Sequence, residues 1–133
     1  MSKAKKIVII IGCVFIVILI GIIAMFISSG KEVSYYKHFD FGSLDLTAVQ
    51  DGTYTGSEDG NMVSASVEVT IKDHAITNVK ILSHKCGTGK PAEVIVDDIV
   101  KKNSLEVDTI SGATLSSNVI KMAVYNALSS VNY

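Results

Sequence analysis

The sequence predicts an α+β fold: a single N-terminal transmembrane helix, then a small domain with a mainly antiparallel sheet and two principal helices. Three patterns carry this prediction. From Ile7 to Ile27, 19 of 21 residues are apolar, with Gly12 and Gly21 the others. Val63, Ala65, Val67, Val69 and Ile71 alternate strictly with Ser64, Ser66, Glu68 and Thr70, the period of a half-buried strand. Ile120, Ala123, Val124, Ala127, Leu128 and Val131 recur at helical spacing.

The apolar run is about 31 Å long as a helix, matching a hydrocarbon core of about 30 Å. A cleaved signal peptide would have a shorter apolar region ending in a small-x-small site. Met25-Phe26-Ile27-Ser28-Ser29-Gly30 fits that poorly. Ile11-Gly12-Cys13 loosely resembles a lipobox, but a lipidated cysteine should open a polar tether, and the run stays apolar beyond Cys13. The reading is therefore an uncleaved span over 7–27. It follows a cytoplasmic stub over 1–6 and precedes a tether over 28–50 and a domain over 51–133. Lys3, Lys5 and Lys6 precede the span, while Lys31 and Lys37 follow it among Glu32 and Asp40. The positive-inside rule then puts the domain on the outer face of the membrane.

Composition excludes several classes. The chain has 133 residues, 48% apolar and 19% charged, which leaves no room for a multidomain enzyme and too much apolar surface for a disordered or freely soluble cytosolic chain. Without the span the apolar share falls to about 40%, an ordinary globular value. Beyond Gly30 there are 9 lysines (12 minus the 3 at the N-terminus) against 13 acidic residues, a formal charge of −4. No basic stripe faces a nucleic-acid backbone, so nucleic acid is not an expected partner. Cys13 lies in the span and Cys86 in the domain, so no disulfide is expected. That suits a bacterial surface better than a secreted disulfide scaffold.

Within the tether, Tyr35, Tyr36, Phe39 and Phe41 are expected to pack or to anchor at the membrane interface. Asp51-Gly52 opens a strand through Thr53-Tyr54-Thr55, and Gly60-Asn61 marks a turn. The alternating strand follows. Lys72-Asp73-His74-Ala75 turns it into a partner over Ile76–Leu82, with Val79 and Ile81 on one face. Pro91 suits a first helical position and Glu93 a first turn. Val94, Ile95, Ile99 and Val100 then form the apolar face of a helix closed by Lys101-Lys102-Asn103. A short extended piece is expected at Leu105–Val107. Ser116 and Ser117 are N-cap candidates for the last helix.

The segment between the helices is the informative one: Asp108-Thr109-Ile110-Ser111-Gly112-Ala113-Thr114-Leu115-Ser116-Ser117. Read from its residues alone, it is a small-residue loop entering a helix. Two readings stand. One is an ordinary capped helix start. The other is a phosphate site, because Gly112 and Ala113 allow close approach and a helix N-terminus offers unpaired N–H groups.

Asp108-x-x-Ser111-Gly112-Ala113-Thr114 resembles the flavinylation motif of the FMN-binding domain family. That family includes the C subunit of sodium-translocating NADH:quinone oxidoreductase, the G subunit of the Rnf complex and small membrane-anchored flavoproteins of bacterial surfaces. The resemblance extends from Asp51-Gly52-Thr53-Tyr54-x-Gly56 through the hairpin to Ala123-Val124-x-x-Ala127-Leu128. It implies a covalent FMN, joined through a phosphoester to the Thr114 hydroxyl by a separate flavin transferase. Ser111, Gly112 and Ala113 would shape the chain around the phosphate, and Asp108 would serve recognition or local structure. In the segment His84-Lys85-Cys86-Gly87-Thr88-Gly89-Lys90-Pro91, the residues His84, Gly87, Gly89 and Lys90 would line the flavin site. Lys90 or the adjacent helix start would oppose the charge of reduced flavin. Similar sequences often carry His where this one has Cys86. Cys86 itself reads as an unreactive loop thiol, and no ligand cluster completes a metal site at His84 and Cys86.

The implied function is a membrane-anchored electron carrier in the bacterial cytoplasmic membrane, not a stand-alone enzyme. No nucleophile–base pair is evident, so no catalytic residue is assigned. Its expected partners are the transferase, membrane lipid and a membrane electron donor such as a quinone oxidoreductase. The competing reading is a membrane-anchored interaction module without flavin, in which Thr114 merely starts its helix. A sensory flavoprotein would need a signalling domain that six cytoplasmic residues cannot provide.

Overall fold

The structure is a computed structural model that describes residues 1–87 and 89–131, without the side chains of residues 28–33. It divides into two units, Met1–Ser34 and Tyr35–Tyr133. Helix α1 runs over Lys3–Lys37. Its stretch Lys3–Ile27 is long and apolar enough to cross a membrane, and none of that stretch is buried within the chain. Side chains such as Ile9, Phe15, Leu19 and Ile23 are exposed. Its length and apolar surface fit a single-pass membrane anchor.

The second unit is the α+β domain the sequence predicts. Strands β1 (Gly52–Gly60), β2 (Val63–Lys72) and β3 (Ala75–Lys85) form one sheet in the order β1-β2-β3, antiparallel throughout. Helices α2 (Ile95–Lys102) and α3 (Thr114–Ser129) pack on it, α3 across β1 and β2 and α2 against β3. The five alternating apolar residues of β2 are all buried, from Val63 at 8% to Val67 and Val69 at 0% exposure. Asp73 and His74 both have positive φ, 52° and 61°. That is the turn whose twist matches a two-residue hairpin. Register shifts between Ser66 and Val67 and between Thr70 and Ile71 mark bulges. The second lets Ile76 and Val79 both face the core although three positions apart.

Gly56 has a packing reason. A Cβ there would overlap the Ala123 carbonyl and the Ala127 amide, and would lie 2.7 Å from the Ala127 Cα. Only a bare strand position facing small helical residues lets α3 sit this close to β1.

Several expectations are corrected. The segment from Lys90 to Val94 is a 3-10 turn with Pro91 at its start, and the α-helix begins only at Ile95. Val94 is exposed, so the apolar face rests on Ile95 and Ile99, both fully buried. Asn103 ends α2 in the left-handed conformation, φ 49°, and its Oδ1 accepts the Ile76 N–H at 2.8 Å. Leu105–Val107 pairs with no strand, though Leu105 and Val107 are buried. Residues 35–50 do more than connect. Tyr36, Phe41 and Val49 are in the core, and Phe39 meets Tyr125 edge-on at 4.9 Å. The Tyr36 hydroxyl donates to Glu58 Oε1 at 2.9 Å. Asn126 Nδ2 donates to Glu58 Oε2 at 2.9 Å, so Glu58 joins this segment to α3.

Candidate functional site

Sequence-distant segments meet at the N-terminus of α3. A cleft of about 220 Å³ is lined by Met62, Val63, Gly87, Gly89, Gly112, Ala113, Thr114, Leu115 and Ser116. Its three sources are the β1–β2 turn, the loop after β3 and the entry into α3.

The entry to α3 is built by its own residues. The Ala113 N–H donates to the Ile110 carbonyl at 2.9 Å, closing a tight turn through Ser111 and Gly112. Gly112 has φ +75°, a conformation that favours glycine. Ala113 precedes the helix and makes no side-chain cap, so Ser116 and Ser117 are not its N-cap residues. Ser117 acts one turn later. Its Oγ accepts the Ile110 N–H at 2.9 Å and donates to the Ala113 carbonyl at 2.7 Å, while fully buried. That single hydroxyl ties both ends of the turn to the helix it introduces.

Thr114 is thereby the first residue of a 16-residue helix, and it is exposed. The cleft is lined by the residue before the helix and by its first three residues, whose N–H groups have no intrahelical partner. Such a helix end favours a negative group. None of the described lining residues is charged, and Met62, Val63 and Leu115 give the cleft an apolar side.

The loop after β3 closes against the same helix turn. Gly89 has φ −82° and ψ 1°, which any residue adopts. Its bareness is required by space: a Cβ would overlap Ser116 Oγ and lie 2.8 Å from Ser116 Cβ. Gly87 and Gly112 face open space.

The remaining predicted residues fall elsewhere. The His84 side chain is 1% exposed and lies behind the loop, its Nδ1 3.1 Å from Glu93 Oε1. Lys90 is exposed and its Nζ donates to the same oxygen at 2.8 Å. The Lys90 hydrogen bond, helped by that from His84, holds the Glu93 carboxyl below the usual value; Lys90 is raised in return. Ser111 is exposed in the turn and does not line the cleft. Asp108 opens onto a different recess, with Asp98, Lys101, Lys102 and Val107. Next to it Lys121, buried on α3, donates from Nζ to the Val107 carbonyl at 3.2 Å and sits 4.3 Å over the Phe41 ring. Burial lowers its pKa, against the opposing pull of Asp108 and Glu106. No cluster of metal-ligating side chains occurs among the described residues.

A sequence profile described as FMN-binding domain matches residues 62–129. The chain belongs to the FMN-binding domain family. The matched stretch contains β2, β3, both domain helices and every described residue of the cleft wall. No curated protein matches the chain. For an FMN-binding domain the cleft is chemically apt. Bare glycines leave room for a phosphate, the first amides of α3 would oppose its charge, and Met62, Val63 and Leu115 would offer an apolar surface to a ring system. His84 Nε2 is buried with no hydrogen-bond partner.

Sequence reasoning found Gly87, Gly89 and the Gly112–Thr114 run. It missed Met62, Val63, Leu115 and Ser116 as wall residues. Gly60-Asn61 signalled a turn, but no local pattern tells which distant loop that turn faces.

Proposed function

We propose that this FMN-binding domain protein is a membrane-anchored electron carrier whose FMN is held covalently through a phosphoester at Thr114, on the outer face of the membrane. The observation that carries the reading is the exposed Thr114 hydroxyl at the first position of α3, on the rim of a cleft made by glycines and unpaired amides. Cleft size supports it further. About 220 Å³ is small beside the roughly 300–1,000 Å³ of sites that enclose a ligand non-covalently. A covalent bond retains the cofactor where burial is insufficient.

In this reading, the bound flavin supplies the electron chemistry. The chain's residues position and hold it. Gly87, Gly89 and Gly112 leave the approach clear. The first amides of α3 offset the phosphoester charge, and Met62, Val63 and Leu115 face the ring. Asp108, on the next recess, serves the transferase that performs the attachment. The lysines before the span favour an inside N-terminus, and the span holds the domain within reach of a membrane electron donor.

The test is expression with an active flavin transferase and an export route, followed by a denaturing gel under ultraviolet light. Wild-type protein is expected to give a fluorescent band and the mass of FMN minus water. Thr114→Ala is expected to give neither, and Thr114→Ser to retain some label. A dark wild-type band, with a control target labelled in the same cells, refutes covalent attachment and leaves Thr114 as a helix start in an anchored interaction module.

A further inference from the structure

His84 makes a geometry that positioning alone does not explain. Glu93, held ionised by Lys90, is an acceptor only. The 3.1 Å contact therefore puts the ring proton of His84 on Nδ1. In the neutral ring this leaves Nε2 as a bare acceptor, and Nε2 is buried with no hydrogen-bond partner. A buried polar atom left unpaired needs a reason. It also leaves a vacant proton site whose counter-charge, the Glu93 carboxylate, is already in place.

That site stands close behind the cleft. Two residues after His84 the chain leaves β3, and the next residue, Gly87, lines the wall. Across the sheet His84 pairs with Ala65, two residues from Val63, another wall residue. Two strand residues span roughly 7 Å. The other charged groups nearby are accounted for. Lys90 is paired with Glu93. Lys121 on α3 is engaged by Val107 and Phe41. Lys85 and the charged residues of α2 are exposed.

We infer that His84 is the proton acceptor coupled to electron uptake in this cleft, taking a proton on Nε2 when negative charge arrives at the flavin. The inference rests on the flavin reading above. A two-electron reductant, dithionite in the test and a membrane reductant in place, is oxidised as the bound flavin gains two electrons and one proton. A second proton passes from solvent to His84 Nε2. The imidazolium so formed is balanced by Glu93. At an effective dielectric of about 20, a unit charge held roughly 8 Å from a proton site would alter its equilibrium by roughly thirtyfold, a window of about one to two pH units.

The experiment uses the full flavin-loaded chain in detergent, labelled with nitrogen-15 at histidine. At a pH within the window, Nε2 of His84 is expected to be unprotonated in the oxidised protein and protonated after dithionite. The midpoint potential, followed from pH 5 to 9, should carry an added dependence of about 30 mV per tenfold change in proton activity over the same window, for a two-electron couple. His84→Gln should remove that added slope, while the flavin's own protonation contributes equally to both proteins. Glu93→Gln should move the window to lower pH, because the waiting counter-charge is gone, and it tests the coupling if His84→Gln folds poorly. An Nε2 signal that does not respond to reduction at any pH overturns the proposal. So does a wild-type slope equal to that of His84→Gln. A wild-type chain that takes up no flavin, beside a labelled control target, fails the flavin reading itself and this proposal with it.

Discussion

Gly89→Ala tests whether the cleft wall is set by contact with α3. At φ −82° and ψ 1° the backbone of Gly89 suits alanine, so no conformational penalty enters. The added methyl would lie 2.8 Å from Ser116 Cβ, short of an ordinary carbon–carbon contact of about 3.5–4.0 Å by roughly 0.7–1.2 Å. Rotation of Ser116 relieves its Oγ but not its Cβ, which is fixed to the helix. The loop must therefore retreat from α3 by about 1 Å, an overpacking cost of about 1–3 kcal/mol. For a domain of this size that corresponds to a melting shift of roughly 5–20 °C. The assay is thermal and urea unfolding of Gly89→Ala in wild-type, Ser116→Ala and Ser116→Gly backgrounds. Ser116→Ala keeps the Cβ and should leave most of the penalty. Ser116→Gly removes it and should make Gly89→Ala nearly neutral, a coupling of at least about 1 kcal/mol. Equal penalties in all three backgrounds would refute the argument from contact. In the flavinylation assay, Gly89→Ala should lower labelling of Thr114, and the Ser116→Gly background should restore part of it.

Three further outcomes follow from the same geometry. Gly56→Ala would drive a methyl into the backbone of α3 at Ala123 and Ala127; since no side chain can rotate away, it should cost about 3 kcal/mol or more in urea unfolding. Ser117→Ala strands the Ile110 N–H, while the Ala113 carbonyl keeps the Ser117 N–H at 3.0 Å; the cost should be about 1–3 kcal/mol, and amide hydrogen exchange at Ile110 should rise. For Glu93 the folded pKa is below the usual 4.5, chiefly through its Lys90 hydrogen bond. Its contribution to stability is complete above that pH and is lost as pH falls through the lower folded value. The melting difference between wild type and Glu93→Gln should therefore be constant from pH 7 to about 5 and shrink below pH 4.5; a difference unchanged down to pH 3 would contradict the ion pair.

Much of this domain was legible because its signals are local. The β2 alternation is a property of nine consecutive residues, and every one of its apolar positions is buried. The long apolar helix is legible for the same reason, since its length and lack of charge are local properties. The end of α2 was readable at Asn103, which tolerates a positive φ. Its start was not, because Pro91 suits either kind of helical turn and packing chose the 3-10 form before Ile95. Serine at 116 and 117 signalled a cap. The helix instead starts earlier at Thr114, because the Ser117 hydroxyl holds the Ile110–Ala113 turn from inside the helix.

By itself the sequence determined the long apolar N-terminal helix, the hairpin, the two domain helices and the candidate attachment residue, Thr114. Each is written in period, composition or a contiguous motif, and each depends on neighbours along the chain. Tertiary structure alone decided which loops share a cleft. It brought Gly89 onto Ser116 and Met62 beside Thr114, and turned Asp108 toward another recess. It also decided that His84 and Lys90, one buried and one exposed, meet on a single Glu93 oxygen instead of lining the cleft. These outcomes depend on how closely α3 approaches the sheet, which Gly56, Ala123 and Ala127 set together from positions about 70 residues apart. Spacing along a sequence carries no record of such an approach, because it is fixed by the mutual exclusion of atoms in three dimensions.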